Sequence, residues 1–204
     1  MRRLGLPSGP DVIAGARLEL VDIETMTGEV GDALRARPAR LNIVAMMAHA
    51  HTSVLPQLGL GRAVMTQQAL DPIQRELLIL LSARLDKCQY VWTQHRPLAE
   101  GLGATAAMLD AVEALDLSSE SFDQPTRVLL RFGRQVIEGG EVGDEVFEQA
   151  MRHFSGGELV EAIIAIGYYM TMNRIATATQ TPLEKGSAGR LMHVAPTAGR
   201  GQAA

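Results

Sequence analysis

A cysteine, a tryptophan and a histidine stand four and then three residues apart in the run Cys88-Gln89-Tyr90-Val91-Trp92-Thr93-Gln94-His95. Seven helical residues at about 100° each return to within about 20° of the starting direction, so Cys88, Trp92 and His95 are expected on one helix face. A thiol and an imidazole beside an indole wall suit proton transfer or thiol chemistry if that face borders a pocket. A lone cysteine is also commonly a small core residue, and a tryptophan at helical spacing also serves as packing, so both readings stand for these two. His95 demands more. An imidazole on an otherwise apolar face needs a hydrogen-bond partner when buried, and Glu76 is a candidate. A Glu–His pair fixes the imidazole tautomer, which suits a general base.

The elements that must position these groups read as helices. Apolar periodicity near 3.6 dominates from about Arg40 onward, with no β-hairpin or βαβ pattern, so the fold class is all-α. One helix is expected over Arg40 to Ser53, stopping near Pro56, with LGLGRAV as a shorter glycine-interrupted piece. The next is marked by Asp71 as cap, Pro72 in the first turn and Gln74 at capping-box spacing before ELLILLSARL. A helix from about Lys87 to Glu100 follows, closed by Gly101. So short a connection around Asp86 makes an antiparallel pair, which brings Glu76 toward His95. Further helices are expected at Thr105 to Ala114, Pro125 to Glu138, Asp144 to His153 and Glu158 to Thr179, the last opened by a Ser155/Glu158 capping box. Residues 1–39 read as an N-terminal extension, 40–184 as one helical domain, and the small-residue run 185–204 as a mobile tail.

Composition narrows the function classes. The chain has 204 residues, 47% hydrophobic and 21% charged, which is ordinary globular usage. A net charge of -4 gives no electrostatic reason to expect nucleic acid as a partner. A single cysteine rules out an intrachain disulfide and fits a reducing, cytoplasmic setting. The opening MRRLGLPSGPDVIAG lacks the apolar stretch of a signal peptide, and no apolar run approaches the roughly 20 residues that span a bilayer. His49 and His51 fall on different helix faces, His153 ends a helix and His193 lies in the tail, so no metal site is expected.

The run RELLILLSARLDKCQYVWTQH, followed by a Gly-Leu-Gly turn, resembles the central motif of the carboxymuconolactone decarboxylase and alkylhydroperoxidase D superfamily. The likeness extends over roughly Arg40 to Leu183. In the peroxidase branch a Glu is followed after eleven residues by Cys-x-x-Cys, then three residues and His. Glu76, Cys88 and His95 keep those spacings, but Val91 stands where the second cysteine belongs. Without it an intramolecular dithiol cycle cannot run, so ordinary thiol peroxidase activity is not expected. Tyr90, Trp92 and His95 look more like the decarboxylase branch, which implies an AhpD-like helical fold, an acidic lactone substrate, no metal or organic cofactor, and a homotrimer or a hexamer of trimers.

Under that resemblance His95, oriented by Glu76, transfers the proton that quenches the electron density left by departing carbon dioxide. A carboxylate substrate also needs a cation, and Arg75, Arg84, Arg96 and Arg174 are the candidates by motif. On a helix Arg75 points about 100° away from Glu76. Tyr168, Tyr169 and Asn173, on the last long helix, are secondary candidates for the pocket wall. The readings left open are a lyase on a small acidic lactone, a relative adapted to another proton-transfer, cyclisation or redox reaction, and a non-catalytic helical assembly protein.

Overall fold

The structure is a computed structural model, and it describes residues 16–184. Among these residues the regular elements are all helices: α1 (Gly28–Arg35), α2 (Asn42–Met47), α3 (Val54–Thr66), α4 (Pro72–Leu85), α5 (Gln89–Leu102), α6 (Ala106–Ala114), α7 (Gln124–Glu138), α8 (Asp144–Met151) and α9 (Gly156–Thr179). The expected tail 185–204, with His193, and the opening 15 residues lie outside the described residues.

Helix α4 is the centre. Every residue from Arg75 to Ala83 is buried, because α5, α6, α7 and α9 pack around it on different sides. Its start is fixed by Asp71, whose carboxylate accepts from the amides of Ile73 and Gln74, with Pro72 in the first turn. The expected capping box is absent there. The Gln74 side chain instead donates to Thr126 Oγ1 on α7, tying the two helices together.

A three-residue connection with Lys87 at φ 57 turns the chain back into α5. The short reversing connection makes the two helices antiparallel, and a hydrogen bond joins Glu76, in the second turn of α4, to His95, midway along α5. Gly103, at φ 111, closes α5 in the left-handed region, two residues later than the sequence suggests. Helix α9 opens on the Ser155/Glu158 capping box and packs along α2, α3, α4, α5 and α7.

Two expectations change in the first half. The helix read as Arg40 to Ser53 stops at Met47, and the polar His49-Ala50-His51-Thr52-Ser53 forms turns, with His49 Nε2 on the carbonyl of Glu19. Pro56 then sits in the first turn of α3, where its missing N–H costs nothing, so it sits within a helix that runs on unbroken through Gly59 and Gly61. Ile23 and Leu34 belong to the buried core, and the Arg17 amide donates to the carbonyl of Thr179 at the end of α9. No helix among the described residues is long and apolar enough to cross a membrane.

Candidate active site

The wall of α5 that matters is set by where the helix starts. Cys88 is its N-cap, in extended conformation (φ -88, ψ 96), one residue before the first helical residue. Cys88 and Trp92 border a narrow crevice with Ala83, Arg84 and Gln89. The other side of α5, carrying Tyr90, Val91, Gln94, His95 and Leu98, faces a cavity of about 620 Å³. Trp92 therefore does not line the cavity that His95 faces. Burial pushes the Cys88 thiol above its ordinary range, the opposite of thiolate activation.

His95 and Glu76 form the polar anchor of this wall. Glu76 is fully buried, its Oε2 lies 2.7 Å from Nδ1 of His95, and Nη2 of Arg75 lies 3.4 Å from its Oε1. With Glu76 ionised, Nδ1 carries the imidazole proton and Nε2 is left with its lone pair. The ring of Tyr169 stands edge-on to that of His95, centroids 4.6 Å apart, which restrains the imidazole from α9. The Tyr169 hydroxyl donates to Met65 Sδ at 3.2 Å. Burial, reinforced by the Glu76 charge, pushes that phenol well above its ordinary value.

A second carboxylate braces the same wall. Glu184 accepts from the Tyr90 hydroxyl, the Gln94 amide and the backbone N–H of Asn42, and it joins α5 to α2 through the last described residue. Tyr90 donates to Glu184 and accepts from the Ile43 amide; burial, then the Glu184 carboxylate, pushes its phenol up. Gln94 Oε1 is buried without a partner among the described residues.

The four arginines expected as substrate anchors all lie elsewhere. Arg75 is buried but folds back onto Glu76 rather than pointing away from it. Arg84 donates to the carbonyl of Glu113, Arg96 pairs with Glu100, Asp110 and Glu113, and the exposed Arg174 reaches Asp86 and the carbonyl of Met170. Asn173 is fully buried and donates to Ser82 Oγ and Asp86, a structural tie between α9 and α4 rather than a cavity group. Tyr168 does line the cavity. Its hydroxyl rests where a Cβ on Gly61 would overlap it, so glycine is what lets α3 accommodate this tyrosine.

The cavity cations come instead from the N-terminal half. Arg37, just after α1, and Arg62, on α3, are on its wall, with Leu41, Ile43, Val44, Met47 and Met65 supplying apolar surface. No Asp or Glu is among the described residues lining it. The sequence gives no signal for Arg37, which no motif contains. Gln94 could have been found, since 91, 94, 95 and 98 form the helical stripe centred on His95. Among the described residues no group of three or more His, Cys, Asp or Glu is placed to hold a metal.

Neither a protein-family model nor a curated protein matches the sequence. Solved structures do match the fold. The alkylhydroperoxidase AhpD core of an uncharacterized peroxidase-related protein from Ralstonia eutropha superposes with a TM-score of 0.74 at 16% identity, covering 89% of this chain and 98% of that one. An uncharacterized peroxidase-related protein from Silicibacter gives 0.71 at 17% identity, over 91% of this chain and 98% of that one. The debrominase Bmp8, as a cysteine-to-alanine variant in complex with 2,3,4-tribromopyrrole, gives 0.66 at 15% identity, over 78% of this chain and 91% of that one. At these identities the likeness is one of architecture, and on it the chain has the AhpD-like all-helical fold.

Proposed function

We propose that the chain is a cofactor-independent lyase of the carboxymuconolactone decarboxylase type, acting on a small acidic lactone-like substrate by proton transfer through His95. The observation that carries this reading is the buried Glu76–His95 hydrogen bond at a cavity wall, which leaves Nε2 as the imidazole atom for substrate. In the reaction the bond between the lactone ring and its carboxylate breaks and carbon dioxide leaves. The electron pair delocalises into the conjugated lactone; Nε2 of the neutral imidazole takes a proton from water and delivers it to the carbon, and the hydroxide left by that water takes up carbon dioxide as bicarbonate. Glu76 holds the ring orientation and offsets the imidazolium charge. Cys88 is a packing residue in this scheme, since it is buried away from the cavity and its thiol is disfavoured from ionising.

A second reading draws on the cavity's apolar wall. Its breadth suits a larger, more apolar metabolite undergoing another proton-transfer or cyclisation step at the same imidazole. One experiment separates the two. Wild type and His95→Asn are incubated with a panel of acidic lactones in deuterated water, and carbon dioxide release and deuterium incorporation are followed. Release that disappears in His95→Asn supports the lyase. Deuterium exchange without release favours the second reading, and release unchanged in His95→Asn overturns the role given to His95.

A homotrimer, or a hexamer built from trimers, is proposed as the working assembly. It is supported by the apolar residues Val160, Ile163 and Ile164 exposed along α9.

A further inference from the structure

Three arginines fall within six residues after the middle of α1, and two of them hold the chain in place. Arg35 donates to the carbonyls of Ile23 and Met26 and pairs with Asp32. Arg40 donates to the carbonyls of Leu34, Arg35 and Arg37 and pairs with Glu24. Arg37, between them, has no side-chain hydrogen bond or ion pair among the described residues, yet it is half-buried on the cavity wall and its Nε is shut off from solvent.

An unpaired guanidinium held partly out of water is costly unless something else satisfies it. Burial lowers its proton affinity, but a guanidinium stays charged in proteins. Among the described residues the cavity wall holds no carboxylate to neutralise it: Glu76 is taken up by His95 and Arg75, and Glu184 by Tyr90, Gln94 and Asn42. The rest of the wall is chiefly aliphatic side chains, methionine and tyrosine rings. Such a site takes a ligand with one anionic end and an apolar body.

We infer that Arg37 is the specificity-determining anchor of this cavity, binding the carboxylate of an amphipathic organic acid whose apolar body lies toward His95. Arg35 and Arg40 serve to present it, so the segment before residue 40 completes the site. A carboxylate accepts two parallel bonds from the guanidinium fork, which fixes orientation as well as affinity. This inference rests on the cavity being the substrate site but not on the reaction performed there.

The test is calorimetric titration with 4-phenylbutyrate and its neutral counterpart 4-phenylbutan-1-ol, against wild type, Arg37→Gln, Arg37→Lys, Arg62→Gln and His95→Asn. Wild type is expected to prefer the acid. Arg37→Gln is expected to weaken acid binding by about tenfold or more, as for loss of a charge-assisted hydrogen bond, and to leave the alcohol within about twofold. Arg37→Lys retains part of the preference, and unchanged circular dichroism shows the variants folded. Acid preference that survives in His95→Asn, whatever becomes of turnover, separates this assignment from the proposed chemistry. The assignment is overturned if wild type shows no preference for the acid or binds neither probe, if Arg37→Gln binds both probes as wild type does or loses both equally, or if only Arg62→Gln loses the preference.

Discussion

The imidazole of His95 and the carboxylate of Glu76 meet at 2.7 Å between α5 and α4, and the same carboxylate is, among the described residues, the one ion-pair partner of the buried Arg75. Glu76→Gln therefore has two effects. It strands a buried guanidinium, which is expected to cost about 3 kcal/mol of stability, and most of that returns in the double variant Arg75→Met/Glu76→Gln. It also frees the imidazole to turn, so turnover on a substrate found in the lactone panel falls by about 100-fold with little change in KM. Denaturant unfolding and steady-state kinetics on the three proteins check both. A Glu76→Gln protein as stable as its parent would show that Arg75 does not depend on this carboxylate.

All three tyrosines and the single cysteine titrate late in the folded protein. Burial is the leading cause in each case, with the Glu184 carboxylate adding to it at Tyr90 and the Glu76 charge at Tyr169. Each group binds its proton more tightly folded than unfolded. Their contribution to stability is therefore complete below the ordinary values of 9.0 for the thiol and 10.0 for the phenols, and is lost as pH rises above them. Tyrosinate absorbance is expected to stay flat through that range and then rise together with the loss of helical circular dichroism. A phenolate signal appearing at the ordinary value while the helices remain intact would contradict the burial of at least one of these rings.

Local chemistry made much of this fold legible. Asp71 before Pro72, and Ser155 three residues before Glu158, announce helix starts because a cap is a contact between near neighbours. The Glu76–His95 pair was legible too, since a short connection leaves two helices little choice but to pack antiparallel. The stripe assigned to Cys88, Trp92 and His95 was not correctly legible. The expected start at about Lys87 lies two residues before the first helical residue, Gln89, and the larger error was grouping Trp92 with His95: Trp92 turns with Cys88 to the crevice while His95 faces the cavity. Arg37 and Glu184 were beyond reach for a different reason. Arg37 joins the cavity wall, and Glu184 braces it from behind, through packing of segments distant in sequence, and neither sits in a periodic element that would declare its direction.

Gly61 and Tyr168 make a sharper packing test. A Cβ at position 61 would overlap the Tyr168 hydroxyl, so Gly61→Ala must displace either the ring or α3. The expected cost is about 1–3 kcal/mol, the range for overpacking a core. Removing the hydroxyl makes room, so Tyr168→Phe in the Gly61→Ala background is expected to recover more than half of the loss. Thermal unfolding of the two single variants and the double variant measures this coupling. Additive losses would mean that the two residues do not share the space.

The last expectation concerns assembly. Helix α9 buries one side against α2, α3, α4, α5 and α7, yet Val160, Ile163 and Ile164 remain 55%, 41% and 42% exposed on its outer side. Scattered exposed apolar residues are ordinary, but three branched ones within five positions of a single helix form a contiguous patch. Packing against another copy would remove it from water, at roughly 25 cal/mol for each Å² covered. Ile164→Asp places a charge in the middle of that contact and is expected to dissociate the assembly while leaving the helical circular dichroism intact. Light scattering of the wild type at micromolar concentration is expected to give three or six times the 22.0 kDa of one chain, and a smaller multiple for Ile164→Asp. A wild-type mass near 22.0 kDa that does not change on concentration would refute the assembly.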